Sequence, residues 1–155
     1  MQTKQLSLFI TIIIWATMIG GVAYSHIVYF PPYLSHLPES NNLITSSYGL
    51  KERNFWMAIH PAVILSTIIG LIFNWRQKAR FRFIIIAGII YALAIIATAL
   101  YFVPGLIAFA ESNNSTFTAA YWYERGQTWQ RWSWVRGTFL YVGFTMLLIA
   151  LTKNK

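Results

Sequence analysis

The sequence predicts an all-α integral membrane protein whose four transmembrane helices form an antiparallel up-down bundle. Of its 155 residues, 57% are hydrophobic and only 10% are charged, whereas a soluble domain carries about 25% charged residues. Four apolar runs lie at 6–30, 55–75, 83–110 and 133–151. Each is long enough to cross a hydrocarbon core of about 30 Å at about 1.5 Å per residue. We therefore expect one membrane domain over residues 1–155, and this composition excludes both a soluble fold and disorder.

The distribution of charge predicts the orientation of the bundle. The amino terminus, the short loop between the second and third runs, and the carboxyl terminus contain basic residues and no acid: Lys4, Arg76, Lys78, Arg80, Arg82, Lys153 and Lys155. All the acids fall in the other two loops: Glu39, Glu52, Glu111 and Glu124. The positive-inside rule then predicts a multi-pass protein of the inner or plasma membrane with both termini in the cytoplasm. The net charge of +8 follows from this topology, because the basic residues lie where they contact anionic headgroups of the lipid bilayer. No nucleic-acid partner is expected.

The three loops differ in length. The second, between the second and third runs, is short, so these two helices are expected to be antiparallel neighbours. The predicted outer loops, 31–53 and 111–131, have about twenty residues each, and loops of that length usually have a function. The second of these outer loops is rich in aromatic residues. They form either an interfacial aromatic belt or a lid over a site, in which Trp122 and Trp129 would be the lid residues.

Three ionisable residues lie inside the apolar runs. By the helical rise, His26 lies at the outer edge of the first run, while His60 and Arg136 lie about 7 Å and about 6 Å below the outer surface. Because an ionisable group in a membrane is costly, each is a candidate functional residue. We predict that all three are catalytic and meet in one cavity that opens toward the outer leaflet. The alternatives are that His26 faces interfacial water, that His60 bonds a carbonyl freed by Pro61, and that Arg136 reaches the headgroups.

Aromatic residues near these positions predict the kind of ligand. A pocket with aromatic walls, a cation and imidazoles suits a flat, oxygen-bearing, hydrophobic small molecule such as a phenol, a quinone or a polyketide-like aromatic. The candidate substrate-binding residues are Trp56, Tyr29, Tyr101, Trp129 and Trp132. The chain has no cysteine, which excludes disulfides and thiolate metal sites.

Segment 129–136, which reads WQRWSWVR, resembles the W-x-R-W-N-x-V-R signature of a small four-helix membrane family named after anthrone oxygenases. Ser133 stands where that signature has Asn. Segment 28–31 is similar to the family's V-x-M-P, and Val103 with Pro104 is similar to its N-x-P-x-N, although Phe102 and Leu106 replace both asparagines. The resemblance implies an oxygenase that converts an anthrone into an anthraquinone with molecular oxygen and without an obvious cofactor motif.

Three functions remain open at this point. The first is a cofactor-independent oxygenase or quinone-type oxidoreductase, in which a neutral His60 or His26 is the base and Arg136 stabilises the developing oxyanion. The second is a b-type haem or metal protein with His26 and His60 as ligands, although the sequence requires no cofactor. The third is a non-enzymatic ligand carrier or accessory subunit that forms a homo-oligomer or binds another membrane protein.

Overall fold

The computed structural model describes residues 3–113 and 115–153, so Lys155, which the charge argument used, lies outside the described residues. The described part is helical and contains no strand. Four helical segments are long and apolar enough to cross a membrane, which confirms the predicted fold class. We call them spans 1 to 4: Thr3–Ser35, Glu52–Asn74, Lys78–Ala110 and Ala119–Thr152. The up-down order of crossing stays a prediction, and a labelling experiment below tests it.

Spans 1 and 3 each contain a π-helical segment that divides two α-helices. Span 1 consists of Thr3–Tyr24, the π segment Ser25–Tyr29 and Phe30–Ser35. Span 3 consists of Lys78–Ala97, the π segment Thr98–Phe102 and Val103–Ala110.

Prolines explain where the π segments lie. Pro31 and Pro32 follow the π segment of span 1, and Pro104 follows that of span 3. A proline ring clashes with the carbonyl four residues earlier and supplies no N–H to bond it. Widening the helix over the preceding residues relieves this clash, so each span continues past its proline instead of ending there. The predicted end of the first run at residue 30 was therefore too early.

Span 4 is much longer than predicted. It begins at Ala119 rather than at residue 133 and has 34 residues, so the predicted loop 111–131 is mostly helix. The hydroxyl of Thr118 caps the helix by accepting a hydrogen bond from the backbone N–H of Tyr121 (3.3 Å). The prediction was wrong because the first turns of the helix are polar and aromatic, and hydropathy does not distinguish a polar helix from a loop.

The long connection between spans 1 and 2 contains two short elements. They are a 3-10 turn, Glu39–Asn41, and a one-turn α-helix, Asn42–Thr45.

The four spans pack in a ring, in which spans 1 and 3 each contact spans 2 and 4. The main core surrounds Trp15, which is fully buried. Its indole N–H donates to the hydroxyl of Thr67 in span 2 (2.9 Å), and its ring lies 5.3 Å from that of Tyr91 in span 3.

One end of the bundle contains three spans instead of four. Span 2 begins at Glu52, whose carboxylate accepts a hydrogen bond from Ser25 (2.8 Å). Beyond that level, spans 1, 3 and 4 continue together, and we call this part the extended end. A second core fills it: Tyr29, Phe30, Tyr33, Leu34, Leu37, Phe102, Phe109, Trp122 and Trp129. Because the helix of span 4 is about 51 Å long and a hydrocarbon core is about 30 Å thick, part of it must lie outside the core.

Candidate functional site

A chain of hydrogen bonds joins spans 1, 3 and 4 at the level where the extended end begins. Arg136 donates from Nη2 to the hydroxyl of Ser133 (3.0 Å) and from Nη1 to the hydroxyl of Thr98 (2.7 Å). Its guanidinium carbon lies 4.2 Å from the ring centre of Phe102, within cation–π distance. Thr98 and Phe102 are the first and last residues of the π segment of span 3. The π segment thus supplies two of the groups that orient the arginine.

His26 is at the other end of this chain. Its Nδ1 lies 2.7 Å from the carbonyl of Val22, which can only accept, so Nδ1 carries a proton. Its Nε2 lies 2.9 Å from the hydroxyl of Ser133. In the neutral imidazole, Ser133 therefore donates to His26 and accepts from Arg136. His26 is only 2% exposed, and both of its ring nitrogens form hydrogen bonds within the protein. This arrangement suits a residue that holds Ser133 in place.

Arg136 also lines a groove of about 550 Å³ between spans 3 and 4, which we call the inner groove. Most of its walls are apolar side chains, among them Leu93, Ala97 and Phe139. The buried Nε of Arg136 has no hydrogen-bond partner among the described residues. An arginine has five N–H donors, and the contacts described above use two of them. The remaining N–H groups of Nη1 and Nη2 can therefore bind an oxygen atom of a ligand in the groove, whereas Nε is buried.

His60 forms a separate contact. Its Nδ1 lies 2.7 Å from the hydroxyl of Tyr91, and its ring stacks on that of Trp56 at 5.3 Å. Tyr91 precedes Thr98, the partner of Arg136, by seven residues, which puts His60 about 10 Å deeper along the bundle. The depth estimates made from the sequence missed this difference because they were counted from predicted span ends.

The groove that Arg136 lines contains neither histidine. The prediction of one cavity shared by His26, His60 and Arg136 is therefore wrong for this groove. The two histidines lie on different pairs of helices and each faces a protein partner.

The predicted substrate-binding aromatics are divided among several places. Tyr101 and Trp132 line the inner groove. Trp56 packs on the imidazole of His60. Tyr29 and Trp129 are buried in the second core, and an edge of Trp129 also borders a second cleft described below.

The predicted lid residues are core residues. The Trp129 indole donates to the carbonyl of Phe102 (3.1 Å), and that of Trp122 donates to the carbonyl of Asn113 (3.2 Å). Trp122 and Trp129 are 5% and 2% exposed. The lid prediction is wrong, because both indoles pack inside the extended end.

A second cleft lies next to the inner groove. It measures about 450 Å³, lies between spans 3 and 4 at the extended end, and is lined by Tyr101, Tyr121, Glu124, Arg125, Thr128 and Trp129 among others. We call it the outer cleft. Tyr101 lines both cavities. The outer cleft was not predicted because residues 119–131 are too polar to resemble a membrane helix, although they are helical in the structure.

Sequence analysis also missed Ser133 and Thr98. Both are small hydroxyl residues, which are common in membrane helices. For Ser133 a signal was present: it occupies the Asn position of the family signature and lies one turn before Arg136. Asn also has one donor and one acceptor side, so it could bridge the same two partners.

His26 is poorly arranged as a metal or haem ligand. Nδ1 of His26 is protonated, and its Nε2 lone pair accepts from Ser133. Among residues 3–113 and 115–153, no group of three or more His, Cys, Asp or Glu side chains could hold a metal ion.

The fold and the site together define a multi-pass membrane protein with an arginine in the wall of an apolar groove. A family model described as Anthrone oxygenase matches residues 53–146, which is more than half of the 155-residue chain. The chain therefore belongs to the anthrone oxygenase family. No curated protein and no solved structure matches it. The matched region contains the residues named above for both cavities, whereas His26 precedes it.

Proposed function

We propose that this protein is a membrane-embedded oxygenase that oxidises a fused-ring aromatic ketone of the anthrone type in the inner groove. The observation that carries the proposal is the guanidinium of Arg136, which is held by two hydroxyl groups in the wall of an otherwise mainly apolar groove. Membership of the anthrone oxygenase family supports the same reaction. A hydrophobic ketone can enter such a groove directly from the lipid.

The reaction needs no external reductant. Loss of a proton from the methylene group of an anthrone gives an anion whose charge is carried largely by the carbonyl oxygen. The anion transfers its electrons to molecular oxygen, a carbon–oxygen bond forms at the former methylene carbon, and protonation gives a hydroperoxide. Loss of water then gives the quinone. In sum, one anthrone and one O₂ yield one anthraquinone and one H₂O.

Arg136 is the catalytic residue in this scheme. Its unused N–H groups donate to the developing oxyanion, and a fixed positive charge is most effective where water is excluded. Ser133 and His26 act through the arginine and are positioning residues. The histidine base expected from the sequence stays a prediction. In our proposal, water at the open side of the groove takes the proton, because the arginine stabilises the anion that remains.

The test compares Arg136→Gln with Arg76→Gln in detergent-purified protein. Arg76 is an exposed arginine in the turn between spans 2 and 3, so the control makes the same chemical change away from the groove. With anthrone as substrate, oxygen uptake and quinone absorbance are followed against empty micelles. We expect Arg136→Gln to lower turnover about 100- to 1,000-fold, as the loss of an oxyanion donor does, and Arg76→Gln to leave it unchanged.

Equal turnover in Arg136→Gln and in the wild type would refute the assignment of Arg136. Tight binding of anthrone without oxygen uptake would instead support the carrier role that the sequence left open.

We further propose that the protein lies in the cell membrane with both termini in the cytoplasm. The turn between spans 2 and 3 carries Arg76, and the first turns of span 3 carry Lys78 and Arg82. These basic residues support this orientation. The extended end and the outer cleft would then face outward.

A further inference from the structure

We infer that the outer cleft binds a hydroxyl-bearing end of the same ligand whose fused ring lies in the inner groove. The inference rests on the proposed function and specifies its substrate. The substrate class is a glycosylated aromatic ketone, in which the sugar supplies the hydroxyl groups, and not a three-ring ketone alone.

The two cavities adjoin at Tyr101, and together they are too long for a three-ring ketone. Tyr101 lines both of them. Arg125 in the outer cleft and Arg136 in the inner groove lie eleven residues apart on one helix, a separation of about 16 Å. A fused three-ring system is shorter than this and fills only one of the two cavities. Each cavity, at about 450 Å³ and about 550 Å³, is large enough to hold part of a small molecule.

The outer cleft is chemically complementary to hydroxyl groups. Glu124 supplies an acceptor and Arg125 supplies donors, and both side chains are exposed. A hydroxyl group both donates and accepts, so it can bond to both residues. A carboxylate would be attracted by the arginine and repelled by the glutamate, and an apolar group would leave both unbonded. The exposed aromatic walls Tyr101 and Tyr121 can pack against a sugar ring.

Arg125 is already oriented for binding. Its Nη1 donates to the hydroxyl of Tyr121 (3.3 Å), and its guanidinium carbon lies 5.7 Å from the ring centre of Trp122. A side chain that is held in place loses less conformational entropy when a ligand binds. This favours recognition of a ligand over a solvated surface role.

The position of the outer cleft fits an amphipathic ligand. Span 2 begins at Glu52, at the level of Ser25. Arg125 lies eight residues before Ser133 on span 4, which is about 12 Å into the extended end. A ligand in both cavities would keep its aromatic ring near the hydrocarbon core and its hydroxyl groups nearer to water.

The experiment measures dissociation constants of the full-length protein for a hydroxyanthraquinone and for its O-glucoside. We expect the wild type to bind the glucoside about tenfold more tightly than the aglycone. Glu124→Gln and Arg125→Gln should each lower this ratio about 2- to 10-fold, which corresponds to the loss of one hydrogen bond. Both should leave aglycone affinity unchanged, whereas Arg136→Gln should weaken binding of both compounds. Glu111→Gln and Arg53→Gln, two exposed residues outside both cavities, serve as matched controls.

The outcomes separate this inference from the proposed function. If the wild type binds the aglycone through Arg136 but does not prefer the glucoside, the inference fails and the proposed function stands. The inference also fails if the preference survives intact in Glu124→Gln and Arg125→Gln. If the wild type binds neither compound, both fail together.

Discussion

Replacement of Ser133 by alanine should destabilise the protein more than the loss of one hydroxyl group normally does. Ser133 is fully buried, donates to Nε2 of His26 and accepts from Nη2 of Arg136. Ser133→Ala removes both bonds and leaves a buried acceptor and a buried donor unpaired, each of which costs about 1–3 kcal/mol. Because water can partly replace the hydroxyl, we expect a total loss of about 2–4 kcal/mol in the free energy of unfolding.

The control is Thr138→Ala, on the same helix. The hydroxyl of Thr138 is exposed and bonds only the backbone carbonyl of Trp134, one turn earlier (3.0 Å), so its loss should cost no more than about 0.5 kcal/mol. Reversible unfolding of both variants in mixed detergent micelles, followed by circular dichroism, measures the difference. If Ser133→Ala is within about 0.5 kcal/mol of the control, the bonds to His26 and Arg136 contribute no net stability and our account of the site is wrong. Ser133→Asn, which carries both a donor and an acceptor, should recover part of the loss.

Two further predictions concern packing and topology. Gly105→Ala would bring a Cβ to 2.6 Å from the buried ring of Trp129 and should destabilise the protein by about 1–3 kcal/mol. Gly20→Ala meets no atom within 4 Å and should be neutral or stabilise by up to about 1 kcal/mol; equal effects in thermal unfolding would contradict the packing argument. For topology, the chain has no native cysteine, so Ser115→Cys should react with an impermeant maleimide on intact cells and Arg76→Cys only after lysis. The reverse pattern would show that the orientation is inverted.

The membrane character of the protein could be predicted from composition alone. A chain with 57% hydrophobic residues cannot cover a soluble surface, and apolar length converts directly into membrane-crossing length. The candidate status of Arg136 followed from the same physics, because an arginine in an apolar run is costly and needs a reason to be there. The family resemblance followed from segment 129–136, which lies inside the matched region.

Helix boundaries and the outer cleft could not be predicted in the same way. Hydropathy measures transfer into lipid, and the first turns of span 4, with Glu124 and Arg125, are helical for a different reason. They are stabilised by the cap at Thr118 and by packing of Trp122 and Trp129 into the second core. The packing contacts join residues that are distant in the sequence, so no local pattern reveals them.

Which polar groups meet was decided only by the tertiary structure. The sequence determined that His26, His60 and Arg136 lie in membrane helices, and a helical rise gave approximate depths. It did not determine which face of each helix points to which neighbour, because that depends on how four helices pack in a ring. Packing pairs Arg136 with Thr98 of span 3 and pairs Ser133, one turn earlier on the same helix, with His26 of span 1. It turns His60 toward Tyr91 instead. A small rotation or shift of a helix changes all of its side-chain partners but leaves the hydropathy of the helix unchanged. For this reason composition determined the class of protein, whereas packing determined the site.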